Sequence, residues 1–153
     1  MKIISNLIEA HIFRETNKGI EFLLLKRAED QSYPGIWQMV SGKIKENERA
    51  YESAVRELNE ETGLKPGKVW SVPTVNSFYS SKLDAINLIP VFAIKVEDQS
   101  DVKISYEHNE FKWVSLEETQ NLLAWEGQRK AVRLIEEYYL KELSFLNFVE
   151  IKL

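Results

Sequence analysis

One long helix stands between strand-rich segments on both sides, and this order of elements most constrains the fold of the chain. The segment Arg49–Thr62 contains no glycine or proline, so nothing in it interrupts a helix. Its apolar residues recur at helical spacing, at Tyr51, Ala54, Val55 and Leu58. Gly63 follows where a glycine in the left-handed conformation commonly ends a helix. The sequence therefore predicts an amphipathic helix over Arg49–Thr62.

Segments of strand-forming residues precede and follow this helix. Those before it are Met1–Arg14, Ile20–Arg27 and Trp37–Ser41, with a turn at Asn17-Lys18-Gly19. Those after it are Lys68–Tyr79, Asn87–Val96 and, beyond a polar loop at Glu97–Ser105, Glu110–Val114. Two further helices are predicted, one capped by Ser115 with Glu118 completing a capping box, and one over Gln128–Lys141. This order predicts an α+β fold, because a doubly wound sheet would alternate strand and helix throughout.

Composition places the chain among globular proteins of about one domain. Of its 153 residues, 44% are hydrophobic and 29% are charged, and we predict a single domain over residues 1–153. No apolar run approaches the roughly 20 residues that span a bilayer, so we expect no membrane partner. Cysteine is absent, which excludes disulfides and fits a cytoplasmic protein. A net charge of −4 without a basic run argues against binding nucleic-acid polymers.

Three glutamates lie close together on one side of the predicted helix. Glu57, Glu60 and Glu61 fall within an arc of about 100°, beside the apolar stripe. Carboxylates this close repel one another, and hard divalent cations such as Mg²⁺ or Mn²⁺ relieve the repulsion by binding their oxygens. A solvated acidic helix face is the alternative for an isolated pattern of this kind.

The residues around these glutamates decide between the two interpretations. From Gly42 the chain reads GKIKENERAYESAVRELNEETGL, which resembles the Nudix box, G-x5-E-x7-R-E-U-x-E-E-x-G-U with U aliphatic. Every specified position matches: Gly42, Glu48, Arg56, Glu57, Leu58, Glu60, Glu61, Gly63 and Leu64. Ser41 and Asn47 stand where many relatives have glycine. Asparagine tolerates the left-handed conformation, so Asn47 can take the place of that glycine.

This resemblance implies the Nudix fold, a mixed β-sheet sandwiched between helices. It also implies a hydrolase that cuts the pyrophosphate linkage of nucleoside diphosphate derivatives, with Mg²⁺, or Mn²⁺ in its place, as cofactor. The resemblance makes Glu57 and Glu61 metal ligands, and Glu60 a ligand or the group that activates water. The carbonyl of Gly42 is implied as a further ligand.

The two remaining charged residues of the box are expected to support the site. By resemblance, Arg56 pairs with Glu48 and braces the loop against the helix, which would orient the metal ligands. An ordinary surface ion pair, worth about 0–1 kcal/mol, is the alternative.

Outside the box, three residues are candidates for the site. Arg27 ends a strand where relatives present a basic residue to phosphates, and a solvated charge is the alternative. Trp37 is a candidate to stack on a base, with a buried core side chain as the alternative. Glu107 is a candidate metal ligand or base, with Glu110 as the alternative. We assign His11 and His108 structural roles, and Phe78, Tyr79 and Trp125 are candidate pocket walls.

A second resemblance concerns the substrate. The segment Trp37–Gly42 and the pair Glu107-His108 resemble pyrophosphohydrolases of dihydroneopterin triphosphate and dATP. The implied partner is a small nucleoside or pterin triphosphate, cut to the monophosphate and pyrophosphate. Dinucleoside polyphosphates, nucleotide sugars and capped RNA stay open as substrates, because the box acts on the diphosphate they share. A domain that only binds a nucleotide is a further alternative, and the family resemblance leaves a homodimer open.

Overall fold

The computed structural model describes residues 1–97 and 101–153, and the strands within them form one nine-stranded sheet. The strands are β1 (Lys2–Ile4), β2 (Leu7–Thr16), β3 (Gly19–Arg27), β4 (Trp37–Gln38), β5 (Val40–Lys43), β6 (Lys68–Ser80), β7 (Ala85–Lys95), β8 (His108–Val114) and β9 (Glu150–Ile151). The helices are α1 (Ala50–Thr62), α2 (Leu116–Leu122), α3 (Glu126–Lys141) and α4 (Leu143–Leu146), followed by a 3₁₀ turn at Asn147–Val149. The predicted α+β order is confirmed.

Strand β2 lies near the centre of the sheet and makes it mixed. It runs parallel to β7 and antiparallel to both β3 and β5. Residues 7–10 of β2 pair with β5, whereas residues 13–16 pair with β3. Because the loop after β5 leads into α1, this pairing holds the start of α1 beside the first half of β2.

Side chains alternate between the two faces of the sheet and build one hydrophobic cluster on each face. The cluster under α1 includes Ile12 and Leu58, and the cluster under α3 includes Phe13 and Ile135. Each of these side chains is almost fully buried, which stabilises the fold by roughly 1.5–3 kcal/mol per side chain. The sheet therefore lies between helices, as the family resemblance implies.

Helix α1 has the boundaries that its sequence predicts. It begins at Ala50, one residue after the predicted start, with Arg49 as the N-cap residue. It ends at Thr62, and Gly63 follows in the left-handed conformation with φ of 72°. In the preceding loop, Asn47 also has a left-handed φ of 63°, the conformation predicted for it as a substitute for glycine.

Several predicted segments differ in detail from the structure, and one of them is β7, which begins at Ala85 rather than at Asn87. The first predicted strand is divided into β1 and β2, since the pairing with β7 shifts by one residue between them. The predicted strand Trp37–Ser41 is likewise divided into β4 and β5, which pair with different strands. Strand β8 and helix α3 each begin two residues earlier than predicted. Part of the predicted loop Glu97–Ser105, residues 98–100, lies outside the described residues.

The last third of the chain confirms one predicted helix cap and adds a short strand that was not predicted. The hydroxyl of Ser115 accepts a hydrogen bond from the backbone N–H of Glu118, which confirms Ser115 as the cap of α2. Strand β9, near the C-terminal end, pairs with β6. No helix in the described ranges is long and apolar enough to cross a bilayer.

Candidate active site

The site lies where strand β5 meets helix α1, and Gly42 allows the two to approach. A Cβ atom on Gly42 would lie 2.2 Å from the Oε1 atom of Glu57 and 2.3 Å from its Cδ atom. Atoms that are not bonded cannot come this close, so only glycine leaves room for the Glu57 carboxylate beside the strand. The box glycine thus brings backbone and carboxylate oxygens together.

Arg56 links the loop before α1 to the helix itself. Its Nε donates to Glu48 Oε2 at 2.7 Å and its Nη2 donates to Glu48 Oε1 at 3.0 Å, so the predicted pair is present and bidentate. Nη2 also donates to the Lys43 carbonyl at 3.0 Å. Nη1 donates to Glu57 Oε1 at 2.8 Å and to Glu60 Oε2 at 3.1 Å. One guanidinium therefore positions three carboxylates and the end of β5.

The Arg56–Glu48 pair differs from an exposed surface pair in its shielding. The side chains of Arg56 and Glu48 are only 20% and 14% exposed. Hydrogen bonds from Arg56, and then from the backbone N–H of Lys45, lower the pKa of Glu48 to about 2. Bidentate pairing fixes the orientation of both groups, which favours the bracing role over the ordinary surface pair.

Glu61 is the most unusual carboxyl group of the site. It is 1% exposed, and neither of its carboxyl oxygens has a hydrogen-bond partner within the described part of the chain. Burial raises the pKa of Glu61 to about 10, and the neighbouring Glu57 and Glu107 carboxylates raise it further in the same direction. Buried polar groups are rarely left without hydrogen-bond partners, so a carboxyl of this kind is a candidate to bind a cation.

The chemistry of the donors fits a hard divalent cation. Carboxylates of Glu57 and Glu61 and the carbonyl of Gly42 are the oxygen ligands that Mg²⁺ and Mn²⁺ prefer. Within residues 1–97 and 101–153, however, no three histidine, aspartate or glutamate side chains already converge into a metal site. The reason lies partly in Arg56, which holds Glu57 and Glu60 toward its guanidinium.

Of the two acidic candidates on the β8 side, the structure brings Glu107 to the site. Its Oε2 lies 4.0 Å from Arg27 Nη1. Burial raises the pKa of Glu107, the charge of Glu57 raises it further, and Arg27 lowers it. Glu110 instead extends outward, 3.3 Å from Lys26 Nζ and more than half exposed. A shift in the pairing of β3 with β8 at Arg27 separates the two glutamates.

Arg27 lines a cavity beside the box, whereas Trp37 does not. Arg27 lines a cavity of about 300 Å³ that also contains Gly42, and Ser32 holds its guanidinium through two hydrogen bonds of 3.0 and 2.9 Å. The side chain of Trp37 packs against the cluster under α3, with Lys112 Nζ 5.0 Å from its ring centroid. Successive side chains on a strand point to opposite faces, so Gln38 lines this cavity and Trp37 does not.

A larger cavity of about 490 Å³ adjoins this one. All three predicted pocket walls, Phe78, Tyr79 and Trp125, line it. It also exposes polar groups that the sequence analysis missed: Glu9, Asn76 and Gln128. Glu9 carried one usable signal, a lone carboxyl group within the apolar strand around Ile8. The two cavities share the lining residues Glu9, Tyr33, Phe78 and Gln128, so they adjoin each other.

The two histidines lie beside the site without forming a metal cluster in the described residues. His108 is buried, its Nε2 lies 2.8 Å from Gln38 Nε2, and its Nδ1 lies 3.8 Å from Glu61 Oε1. Burial lowers the pKa of His108 to about 4, and the charge of Arg27 lowers it further. His11 is fully buried on β2, and burial lowers its pKa to about 3.

Comparisons with known proteins agree with this geometry. The NUDIX domain family model matches residues 8–135. The chain is 29% identical over 113 residues to the nucleoside triphosphatase NudI of Klebsiella pneumoniae, covering 69% of this chain and 79% of NudI. It is 30% identical over 118 residues to an octanoyltransferase of Myxococcus xanthus, covering 72% of this chain but only 31% of that protein.

A solved structure gives the same result at the level of the fold. The MutT protein of Methanosarcina mazei superposes with a TM-score of 0.71 at 30% identity, covering 92% of this chain and 99% of that one. The family model spans both the sheet and α1, and every specified position of the box is present. This chain therefore belongs to the NUDIX family.

Proposed function

We propose that this protein is a magnesium-dependent pyrophosphohydrolase that cuts a purine nucleoside or pterin triphosphate into the monophosphate and pyrophosphate. The observation that carries the proposal is the buried carboxyl of Glu61, whose oxygens have no hydrogen-bond partner in the described residues, close to Glu57, for which Gly42 makes room. A fold that keeps such a group without a protein partner gains most when a cation binds there.

In this proposal Glu57, Glu61 and the Gly42 carbonyl hold the metal. When bound, Mg²⁺ neutralises phosphate oxygens and lowers the pKa of the attacking water. Mn²⁺ has the same preference for oxygen ligands and is expected to substitute. The residues of the chain then position the substrate and accept the proton of the attacking water.

The reaction breaks the bond between a phosphorus and the oxygen that bridges the α- and β-phosphates. The water oxygen bonds to phosphorus, pyrophosphate leaves, and Glu60 accepts the proton of the water. Glu60 suits this role because it is half exposed, next to the site, and held by Arg56 at 3.1 Å. Glu107 is proposed as an additional ligand or base. Arg27 binds the anionic oxygens of the substrate from the adjoining cavity.

The shape of the cleft supports a triphosphate on a flat ring. Phe78, Tyr79 and Trp125 line the larger cavity, and stacking on such side chains is worth roughly 1–3 kcal/mol per base. The similarity to NudI, which is named as a nucleoside triphosphatase, favours the same substrate class. Trp37 packs away from both cavities, so its proposed stacking role rests on its sequence position alone.

The substrate is tested by measuring kcat/KM with Mg²⁺ for GTP, dATP, dihydroneopterin triphosphate, ADP-ribose and diadenosine tetraphosphate. We expect the triphosphates to be cut most efficiently, with release of pyrophosphate. A tenfold preference for ADP-ribose or the dinucleotide corresponds to about 1.4 kcal/mol of transition-state stabilisation and would overturn the substrate class. Nucleotide binding without any turnover would instead identify a non-catalytic module.

The catalytic assignment is tested with Glu57→Gln, with Glu52→Gln on the same helix as its matched control. Glu52 lies in the first turn of α1 and accepts a hydrogen bond from the backbone N–H of Arg49. We expect Glu57→Gln to lose most of its turnover, while Glu52→Gln stays near the wild type. Equal activity of the two variants, or full turnover of the wild type in excess EDTA, would contradict the proposed metal site.

A further inference from the structure

A polar cluster lies at the buried side of the larger cavity. It consists of Glu9 on β2, Asn76 on β6 and Gln128 on α3. Glu9 is 5% exposed and Gln128 is 7% exposed, yet both line the cavity. Polar side chains buried this deeply are normally satisfied by partners, so their remaining hydrogen-bonding capacity shows what a ligand must supply.

The cluster has more acceptor capacity than its own amide donors use. Asn76 Nδ2 donates to the two oxygens of Glu9 at 3.0 and 3.3 Å. Burial raises the pKa of Glu9, and the side-chain amides of Asn76 and then Gln128 partly offset this effect. A carboxylate has roughly four acceptor sites, so acceptor capacity is left over.

A second acceptor in the cluster is without a donor among the described residues. The Oε1 atom of Gln128 is buried and has no hydrogen-bond partner in the described part of the chain. Two residues with buried acceptor oxygens, Glu9 and Gln128, therefore line a cavity with aromatic walls. Such a site favours a flat ring that presents adjacent N–H donors.

The position of the cluster fits the remainder of the proposed substrate. Glu9 and Gln128 also line the smaller cavity, which contains Arg27 and Gly42. A ring stacked against Phe78 or Trp125 in the larger cavity can thus extend its phosphates toward Arg27 and the box. Together, the two adjoining cavities fall within the range of about 300–1,000 Å³ typical of small-molecule sites.

We propose that Glu9 and Gln128 recognise the 2-amino-4-oxopyrimidine edge that guanine and pterin share. This edge presents a ring N–H beside an exocyclic amino group, and a carboxylate accepts from both. Adenine presents an amino group beside a ring nitrogen that is itself an acceptor, and this nitrogen would face a carboxylate oxygen. The inference rests on the proposed function, since it names the ring of the proposed triphosphate.

Binding without hydrolysis tests the inference separately from the activity. Calorimetry in EDTA compares GMP, IMP, AMP and dihydroneopterin monophosphate; IMP keeps the ring N–H of GMP and lacks its amino group. We expect GMP to bind about tenfold more tightly than IMP, and AMP to bind more weakly still, as is usual when a paired donor is removed. Dihydroneopterin monophosphate carries the same edge. A higher affinity than that of GMP would assign a pterin ring, and a lower affinity would assign guanine.

Three variants locate the recognition. Glu9→Gln replaces one acceptor by a donor, and we expect the ratio of GMP to IMP affinity to fall close to one. Gln128→Met removes the second acceptor together with the amide that hydrogen-bonds to Glu9, and we expect a several-fold weaker affinity for GMP in a protein that stays folded by circular dichroism. Glu126→Gln is the matched control, because Glu126 borders the same cavity but pairs with Arg133, and we expect it to keep the wild-type ratio.

The outcomes separate the two proposals. Equal affinities for GMP, IMP and AMP in the wild type would overturn the inference, as would a full guanine preference in both the Glu9→Gln and Gln128→Met variants. Hydrolysis of GTP and ATP at equal kcat/KM would leave the proposed reaction standing and remove the ring assignment. Tight binding of GMP without any hydrolysis of GTP would support the ring assignment and overturn the proposed reaction.

Discussion

At the scale of single residues, Gly42 matters because of the atom that it lacks. Its place beside Glu57 leaves no room for a Cβ atom, and this follows from the packing of β5 against α1 rather than from backbone strain. Its φ is not among the positive values found in the described residues. The glycine is therefore needed for close approach, which is one of the two physical uses of glycine in folded proteins.

We expect Gly42→Ala to reduce kcat by at least about tenfold, because the new methyl group displaces the Glu57 carboxylate, and misplacing a catalytic group by about 1 Å has effects of this size or larger. The measurement is kcat and the Mg²⁺ concentration at half-maximal rate, with circular dichroism to verify the fold. Wild-type kinetics in a folded Gly42→Ala protein would show that Glu57 is not required at its observed position.

His11 gives a prediction about pH and stability. Burial lowers its pKa to about 3 in the folded protein, against about 6.5 in the unfolded chain. Between these values the unfolded chain binds the extra proton, so lowering the pH favours unfolding. From the difference in pKa, His11 alone should remove about 2 kcal/mol of stability between pH 8 and pH 5.

The contribution of His11 is isolated by a variant that cannot titrate. We expect His11→Leu to lose less unfolding free energy than the wild type between pH 8 and pH 5, measured by urea denaturation at each pH. Taking the difference between the two proteins removes the effects of Glu9 and Glu61, whose raised pKa values act in the opposite direction. Parallel pH profiles would mean that His11 is protonated as readily in the folded state as in the unfolded state.

At the scale of elements, Arg56 joins β5, the following loop and α1 into one unit. Its guanidinium contacts the Lys43 carbonyl, Glu48 and two of the helix glutamates. An exposed pair on a helix is worth only a few tenths of a kcal/mol, whereas this group fixes the orientation of carboxylates proposed to bind metal. Its loss should affect the site more than the fold.

A double-mutant cycle tests this bracing role. We expect Arg56→Ala and Glu48→Ala each to reduce kcat strongly, and the double variant to be hardly worse than either one, because both break the same contact. Arg133→Ala, which breaks an exposed pair with Glu126 on α3, is the control and should leave kcat unchanged. Additive losses in kcat would mean that Arg56 and Glu48 act independently.

At the scale of the whole molecule, the proposed metal site predicts a protein that is less stable without metal than with it. Glu61 is buried without a hydrogen-bond partner in the described residues, which costs folding free energy. A ligand that binds only the folded state stabilises it by about 2.7 kcal/mol at 100 times its dissociation constant. If Glu61 holds the metal as proposed, this residue couples metal binding to the melting temperature.

We expect Glu61→Gln to melt at a higher temperature than the wild type in EDTA, since a neutral amide avoids burying a carboxyl group. We also expect the variant to lose the rise in melting temperature that Mg²⁺ gives the wild type. Thermal unfolding with and without Mg²⁺ measures both effects. A wild-type response to Mg²⁺ in Glu61→Gln would place the metal elsewhere.

The sequence by itself determined the parts of this protein that depend on local geometry. Helix periodicity places Glu57, Glu60 and Glu61 together whatever surrounds them, and the glycine after Thr62 ends α1 as predicted. The spacing from Gly42 to Leu64 identifies the family for the same reason. Each of these features is decided within about two dozen residues of chain.

Only the tertiary structure decided which distant side chains share a cavity. Asn76 meets Glu9 across 67 residues, and Gln128 on helix α3 interacts with the same carboxyl. The side chains of Trp37 and Gln38 point to opposite faces of the sheet because they are neighbours on a strand. The register of β4 against β3 decides which of the two faces the cavity. A shift of one residue would exchange them. Strand register is set by packing across the whole sheet, so local pattern could predict the box but not the cavity that we propose to select the ring.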